Sequence, residues 1–119
     1  MGEPKKKYDL EERTEKFSIS TRNLCVRLKK DVINTEYIRQ LVRSAGSVAA
    51  NYIEANENLR PKDLKMKIKI SRKEAKESRL WLKHILVHGD MEIEAEKDKL
   101  IKETIELENI FGAILRKLE

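Results

Sequence analysis

Arg43, Ser47, Asn51, Glu54, Glu74 and Glu77 come together as one polar seam if the segments that carry them pair as antiparallel helices. Two or three carboxylates on adjacent helices bind a metal or shuttle protons. The same residues also make an interhelical salt-bridge network that fixes register, because a partly buried arginine needs a carboxylate partner. The network is the reading adopted. His84 and His88 stand four apart, a spacing that chelates a metal only when further ligands close the site. They are read as surface or terminus histidines, with His88 near the negative end of a helix dipole. The Glu-x-x-His pairs of di-iron bundles are absent. So are a Walker-type loop, a Gly-x-Ser-x-Gly turn and a Cys/His arrangement. Cys25 adjoins Leu24 and reads as a small buried hydrophobe. No enzyme activity, cofactor, metal or small-molecule substrate is expected.

Charge gives a stronger signal. The 119 residues carry 26 Lys and Arg against 21 Asp and Glu, a formal net charge of +5. Residues 1–59 contribute +2, residues 60–89 contribute +7 and residues 90–119 contribute −4. Within the basic segment Lys65, Lys69, Arg72, Lys76, Arg79 and Lys83 recur by fours and threes, which places them along one edge of a helix. Such a stripe spans several phosphates, and each contact releases counterions. No aromatic residue interleaves it as single-strand stacking requires. The competing reading is a solvated flank that pairs with Glu103, Glu106 and Glu108 in the acidic last segment.

The elements that must hold these residues are helical. Leu, Ile, Val and Phe together make 32 of 119 residues, enough for a core and too many for a disordered charged chain. Four Gly, two Pro and six aromatics leave little of the punctuation that sheets need. No stretch reaches the apolar length of a membrane span, and no apolar segment follows Lys5, Lys6 and Lys7, so a soluble cytoplasmic protein without a membrane partner is expected. The single Cys suits a reducing compartment.

Four helices are predicted in one domain over 9–119, behind a flexible basic arm at 1–8 that includes Lys5 to Lys7. The first starts with Asp9 as N-cap, buries Leu10, Phe17, Thr21, Leu24 and Leu28, and fades near Val32. The second starts after Thr35 and carries Ile38, Leu41, Ala45, Val48, Tyr52 and Ala55, with Val42, Gly46, Ala49 and Ile53 widening the face. Pro61 opens the third, which runs from about Lys62 to His88 and is closed by Gly89. Its core face is Leu64, Ile68, Ser71, Ala75, Ser78, Leu82 and Ile85. The fourth starts between Asp90 and Ala95 and carries Leu100, Thr104, Leu107, Phe111, Ile114 and Leu118, broadened by Ile101, Ile105 and Leu115.

Short loops make these neighbours antiparallel, giving an all-α, up-and-down four-helix bundle, and a period of about 3.5 residues implies left-handed packing. A turn near Arg60 makes facing positions on the second and third helices sum to about 120, which sets Arg43 opposite Glu77, Ser44 or Ser47 opposite Glu74, and Glu54 near Met66 or Lys67. Ile19, Val26 and Ile33 recur off the core face of the first helix, and Ile70, Leu80 and Trp81 off that of the third, so these six are assigned to a self-association surface. Gly46, in a helix interior, implies a close neighbour.

The segments RSAGSVAANYIEANE at 43–57 and KDLKMKIKISRKEAKESRLWLKHIL at 62–86 resemble the four-helix bundle family of 23S rRNA intervening-sequence proteins. That family is similar in fold to the accessory proteins of diversity-generating retroelements, which partner a reverse transcriptase. The resemblance implies a homopentamer with a basic surface. Together these readings describe a non-enzymatic homo-oligomer that binds RNA or a nucleic-acid-processing protein through the third helix and the Lys5 to Lys7 arm. The alternative is a purely structural or protein-interaction scaffold.

Overall fold

A computed structural model describes residues 6–119, with side chains from Leu10 onward, as four helices: α1 (Lys6–Arg27), α2 (Val32–Ala55), α3 (Pro61–His84) and α4 (Met91–Lys117). Each packs on its chain neighbours and α4 closes back on α1, while the diagonal pair α2 and α4 meets in the core through Tyr52 and Phe111, whose ring centroids lie 5.9 Å apart. This is an up-and-down bundle with its core between the four helices. The apolar stripe that specifies it is buried as expected on α1, α2 and α3. Leu24, Leu41, Val48, Ile68, Ala75, Leu82 and Ile85 have essentially no accessible surface. Phe17 of α1 and Phe111 of α4 are the largest side chains fully enclosed. Each stabilises the fold by roughly 1.5–3 kcal/mol, against about 0–1 kcal/mol for a surface ion pair, so the apolar stripe rather than the dense charge holds the bundle together.

The outer edges of the core differ from expectation. Val42, Ile53, Ile105 and Leu118 are exposed, and Ile114 and Leu115 are only half-buried. Burial on α4 falls away after Gly112, and its core face begins earlier, at Ile93. Gly46 does not mark a close approach: a methyl there would lie 4.0 Å from Ser18 Oγ, an ordinary contact.

Four helix ends also fall elsewhere. α1 stops at Arg27 because the Lys30 ammonium reaches back to the carbonyls of Cys25, Val26 and Leu28 at 2.8, 2.9 and 2.9 Å. α2 starts at Val32, capped by Asp31, whose carboxylate accepts from the Asn34 amide at 2.8 Å. α3 stops at His84, so His88 lies in the loop, where both it (φ 52°) and Gly89 (φ 79°) are left-handed and make the turn into α4. Asp90 caps α4 through the Ile93 amide at 3.1 Å. α1 begins at Lys6, ahead of the expected Asp9, so residues 6–8 of the expected arm are helical, while residues 1–5 and the Asp9 side chain lie outside what the structure describes.

Candidate nucleic-acid interface

α3 carries the basic stripe because its core positions repeat by threes and fours, and the stripe follows one residue behind them. Lys69, Arg72, Lys76 and Lys83 are exposed, and Lys65 is half-exposed. None of the five forms an ion pair with a described residue. Arg79 is the exception. Its guanidinium donates to Glu108 Oε1 at 2.7 Å and reaches Thr104 Oγ1 at 3.4 Å, with the two charged side chains 19% and 17% exposed. It is therefore a structural link between α3 and α4, and the assignment of Arg79 to a free phosphate-binding stripe is corrected on that ground.

The other acidic residues of α4 turn away from α3. Arg13 of α1 takes Glu103 through two bonds, at 2.6 and 3.0 Å, and Glu106 through one at 2.8 Å. These carboxylates hold the Arg13 proton more firmly than usual. Of the three glutamates expected to neutralise the stripe, only Glu108 does so. The remaining cations line two shallow grooves between α3 and the last turns of α4. One, of about 450 Å³, is bounded by Lys69, Arg72, Lys73, Lys76, Glu77 and Leu115. The next, of about 350 Å³, is bounded by Pro61, Lys62, Lys65, Met66, Lys69 and Leu118. They share Lys69 and so form a continuous track, with Lys62 and Lys73 joining the residues read from the sequence.

The polar seam between α2 and α3 has the expected register but different partners. Facing residue numbers add to about 120 in the Ser44–Ser78 hydroxyl bond (2.8 Å), the Ser71 hydroxyl bond to the Val48 carbonyl (3.0 Å) and the Lys67–Glu54 ion pair. Small hydroxyls, not charges, occupy the centre. Arg43 is exposed and bonds only Gln40, at 3.4 Å, while Asn51 turns back to Ser47 of its own helix. No ion pair among the described residues joins Arg43 to Glu74 or Glu77, so the expected salt-bridge network does not form. Glu74 is buried beside Glu77, and desolvation first, then that neighbouring charge, raises its pKa; Lys73 and Arg43 oppose the shift.

A model of the 23S rRNA-intervening sequence protein family matches residues 6–113. The chain belongs to that family. No curated protein and no solved structure matches it. The family match covers α1, α2 and α3 and all but the last turn of α4, so the Lys62 to Lys76 track lies inside it.

In this family member the two histidines are separated. His84 Nδ1 lies 2.8 Å from the Leu80 carbonyl and its ring packs 5.1 Å from Tyr37, whereas His88 Nε2 meets Asp31 Oδ2 at 2.7 Å. With His88 off the helix, the four-residue chelating geometry does not arise. No group of three metal-ligating side chains gathers among the described residues. Cys25 is buried, and desolvation pushes its thiol up to about 11 against a weaker opposing effect of Lys30.

The six apolar residues assigned to self-association divide. Ile19, Val26, Ile33 and Leu80 are exposed, but Ile33 belongs to α2 and does not continue a row on α1. Ile70 is half-buried, and Trp81 stacks on Tyr37 with ring centroids 5.9 Å apart, packed against the core. These two are removed from the surface set. One important residue was not foreseen. Asn34, fully buried, donates to the Lys29 and Leu86 carbonyls, both at 2.9 Å, and accepts from the Leu86 amide at 2.8 Å, tying the α1–α2 turn to the α3–α4 loop. Its only trace in the sequence is the spacing Asp31-x-x-Asn34 at a helix start.

Proposed function

We propose that this protein binds RNA, without catalysing a reaction on it, along the cationic track between α3 and the end of α4. The observation that carries the reading is the absence of described carboxylate partners for Lys65, Lys69, Arg72 and Lys76, although α4 is acidic overall. Unpaired cations in a row suit a ligand that brings its own evenly spaced negative charge. The family's printed description, which refers to an intervening sequence of 23S rRNA, supports RNA over an acidic protein as that ligand. The track lacks aromatic stacking groups, so it reads backbone phosphates rather than bases.

The test is binding of a structured RNA at low and physiological salt, for the wild type and for a variant with Lys69, Arg72 and Lys76 changed to Glu. Arg79 is left intact because it supports the fold. Steep salt dependence in the wild type, with binding lost in an equally folded variant, is the expected result. A wild type that binds no RNA even at low salt overturns the reading and favours a scaffold whose track docks an acidic protein or a nucleic-acid-processing enzyme such as a reverse transcriptase.

Self-association is supported by Val26, Val32 and Ile33, which cluster around the α1–α2 turn at 70%, 79% and 45% exposure. A homo-oligomer, such as the pentamer implied by resemblance, repeats the track and multiplies weak phosphate contacts. Light scattering on the same samples tests this, and a mass fixed at the 14.0 kDa protomer across micromolar concentrations overturns it.

A further inference from the structure

Gly112 lies buried inside the C-terminal part of α4, with no turn or left-handed backbone to explain it. Glycine is unfavourable at such a position. Two arginine side chains lie over it. A Cβ placed there would stand 3.7 Å from Arg116 Nη1, 3.8 Å from Arg72 Nε and 3.9 Å from Arg72 Cζ. Two guanidinium groups from different helices thus converge on one point. Arg116 reaches it by folding back one turn along α4, the direction that helical side chains favour. Arg72 reaches it across the α3–α4 seam, at the wall of the larger groove.

Neither arginine forms an ion pair with a described residue. Glu77 borders the same groove without bonding either one. Two like charges converging without a carboxylate are unfavourable alone and are reconciled by a shared anion. Planar, multi-donor guanidinium groups match the oxygens of a phosphate better than point charges do. Placement of Arg116 in the last turn complements the helix dipole, but that role needs no particular direction and is equally served by Lys117.

We infer that Arg72 and Arg116 form a clamp over Gly112 that grips one phosphate of the RNA backbone, with Lys69, Lys73 and Lys76 drawing the neighbouring phosphates. The inference rests on the RNA-binding reading above and gives it a fixed point. Arg116 lies beyond the residues matched to the family, so the clamp is argued from this chain alone.

The experiment uses a fluorescent RNA hairpin with a 5′-hydroxyl, titrated with the wild type, Arg72→Gln, Arg116→Gln, the double variant and Lys117→Gln across a salt series. Each arginine variant is expected to bind about tenfold more weakly and to lose about one from the salt slope. If both grip one phosphate, the double variant falls short of the product of the single losses. Losses that multiply, or an Arg116→Gln effect no larger than that of Lys117→Gln, overturn the clamp. In either case a bound wild type that releases RNA when Lys69 and Lys76 become Glu keeps the broader reading intact, whereas a wild type that never binds removes both. A 5′-phosphorylated hairpin that alone shows the coupling would shift the grip from an internal phosphodiester to a terminal phosphate and overturn the backbone assignment.

Discussion

The two ends of the bundle treat their polar groups in opposite ways. At the end where α1 meets α2 and α3 meets α4, Asn34 satisfies three backbone groups of two separate connections, Asp31 both caps α2 and holds His88, and Lys30 covers the last carbonyls of α1. The exterior there carries the exposed apolar residues Val26, Val32, Leu86 and Met91 among charged ones such as Arg27, Lys29 and Glu92. Towards the other end, beside the last turns of α4, Lys65, Lys69, Arg72 and Lys76 of α3 form no ion pair with a described residue. One end uses several of its polar side chains on the fold. The other leaves a row of cations to solvent. A bundle can therefore be rigidly closed at one pole and electrostatically open at the other.

Asn34→Leu attacks the closed pole most directly. It strands the Lys29 carbonyl and both Leu86 backbone groups, so a loss of about 3 kcal/mol in denaturant unfolding is expected, with RNA affinity at low temperature unchanged. A change in affinity instead would show that the poles are coupled. Arg79→Gln comes next. It removes a largely buried bond to Glu108 and should cost about 1–2 kcal/mol of stability while leaving the salt slope of RNA binding unchanged. Arg72→Gln, one stripe position pair away, should do the reverse. Equal effects of the two on binding would return Arg79 to the interface.

The smallest effect is a pH dependence at Asp31. Its carboxyl is held below the ordinary value of 3.8, first by the Asn34 amide and then by His88. A depressed carboxylate contributes stability that is present above its unfolded pKa and lost as pH falls through the folded value. Asp31→Asn keeps the cap but not the charge. Its melting temperature should lie slightly below that of the wild type at neutral pH, and the gap should close in acid; a gap that persists there would assign the difference to geometry.

Much of this architecture was legible in the sequence because the core repeats. The stripe from Leu41 to Ala55 and the one from Ile68 to Ile85 each follow alternating threes and fours, and a single turn at Pro61 was enough to set their register. What escaped depends on contacts between distant residues. Asn34 and Leu86 stand 52 positions apart, and their meeting ties the start of α2 to the chain just beyond the end of α3. The basic stripe was equally visible, but which of its members are free was decided by the face that α4 presents, turning Glu108 toward Arg79 and Glu103 and Glu106 toward Arg13. Gly46 and Gly112 look alike as mid-helix glycines. Only the packing shows that the first has ordinary room and the second lies under two arginines.

The buried Cys25 gives the molecule a built-in reporter. Its thiol, pushed up to about 11 and enclosed near the end of α1, offers almost no thiolate to a reagent while that helix is docked. α1 closes on α4 through a narrow seam in which the Arg13 ion pairs feature strongly. Alkylation of the unmodified protein therefore waits on α1 lifting away, and the labelling rate reports the opening of the α1 edge of the bundle.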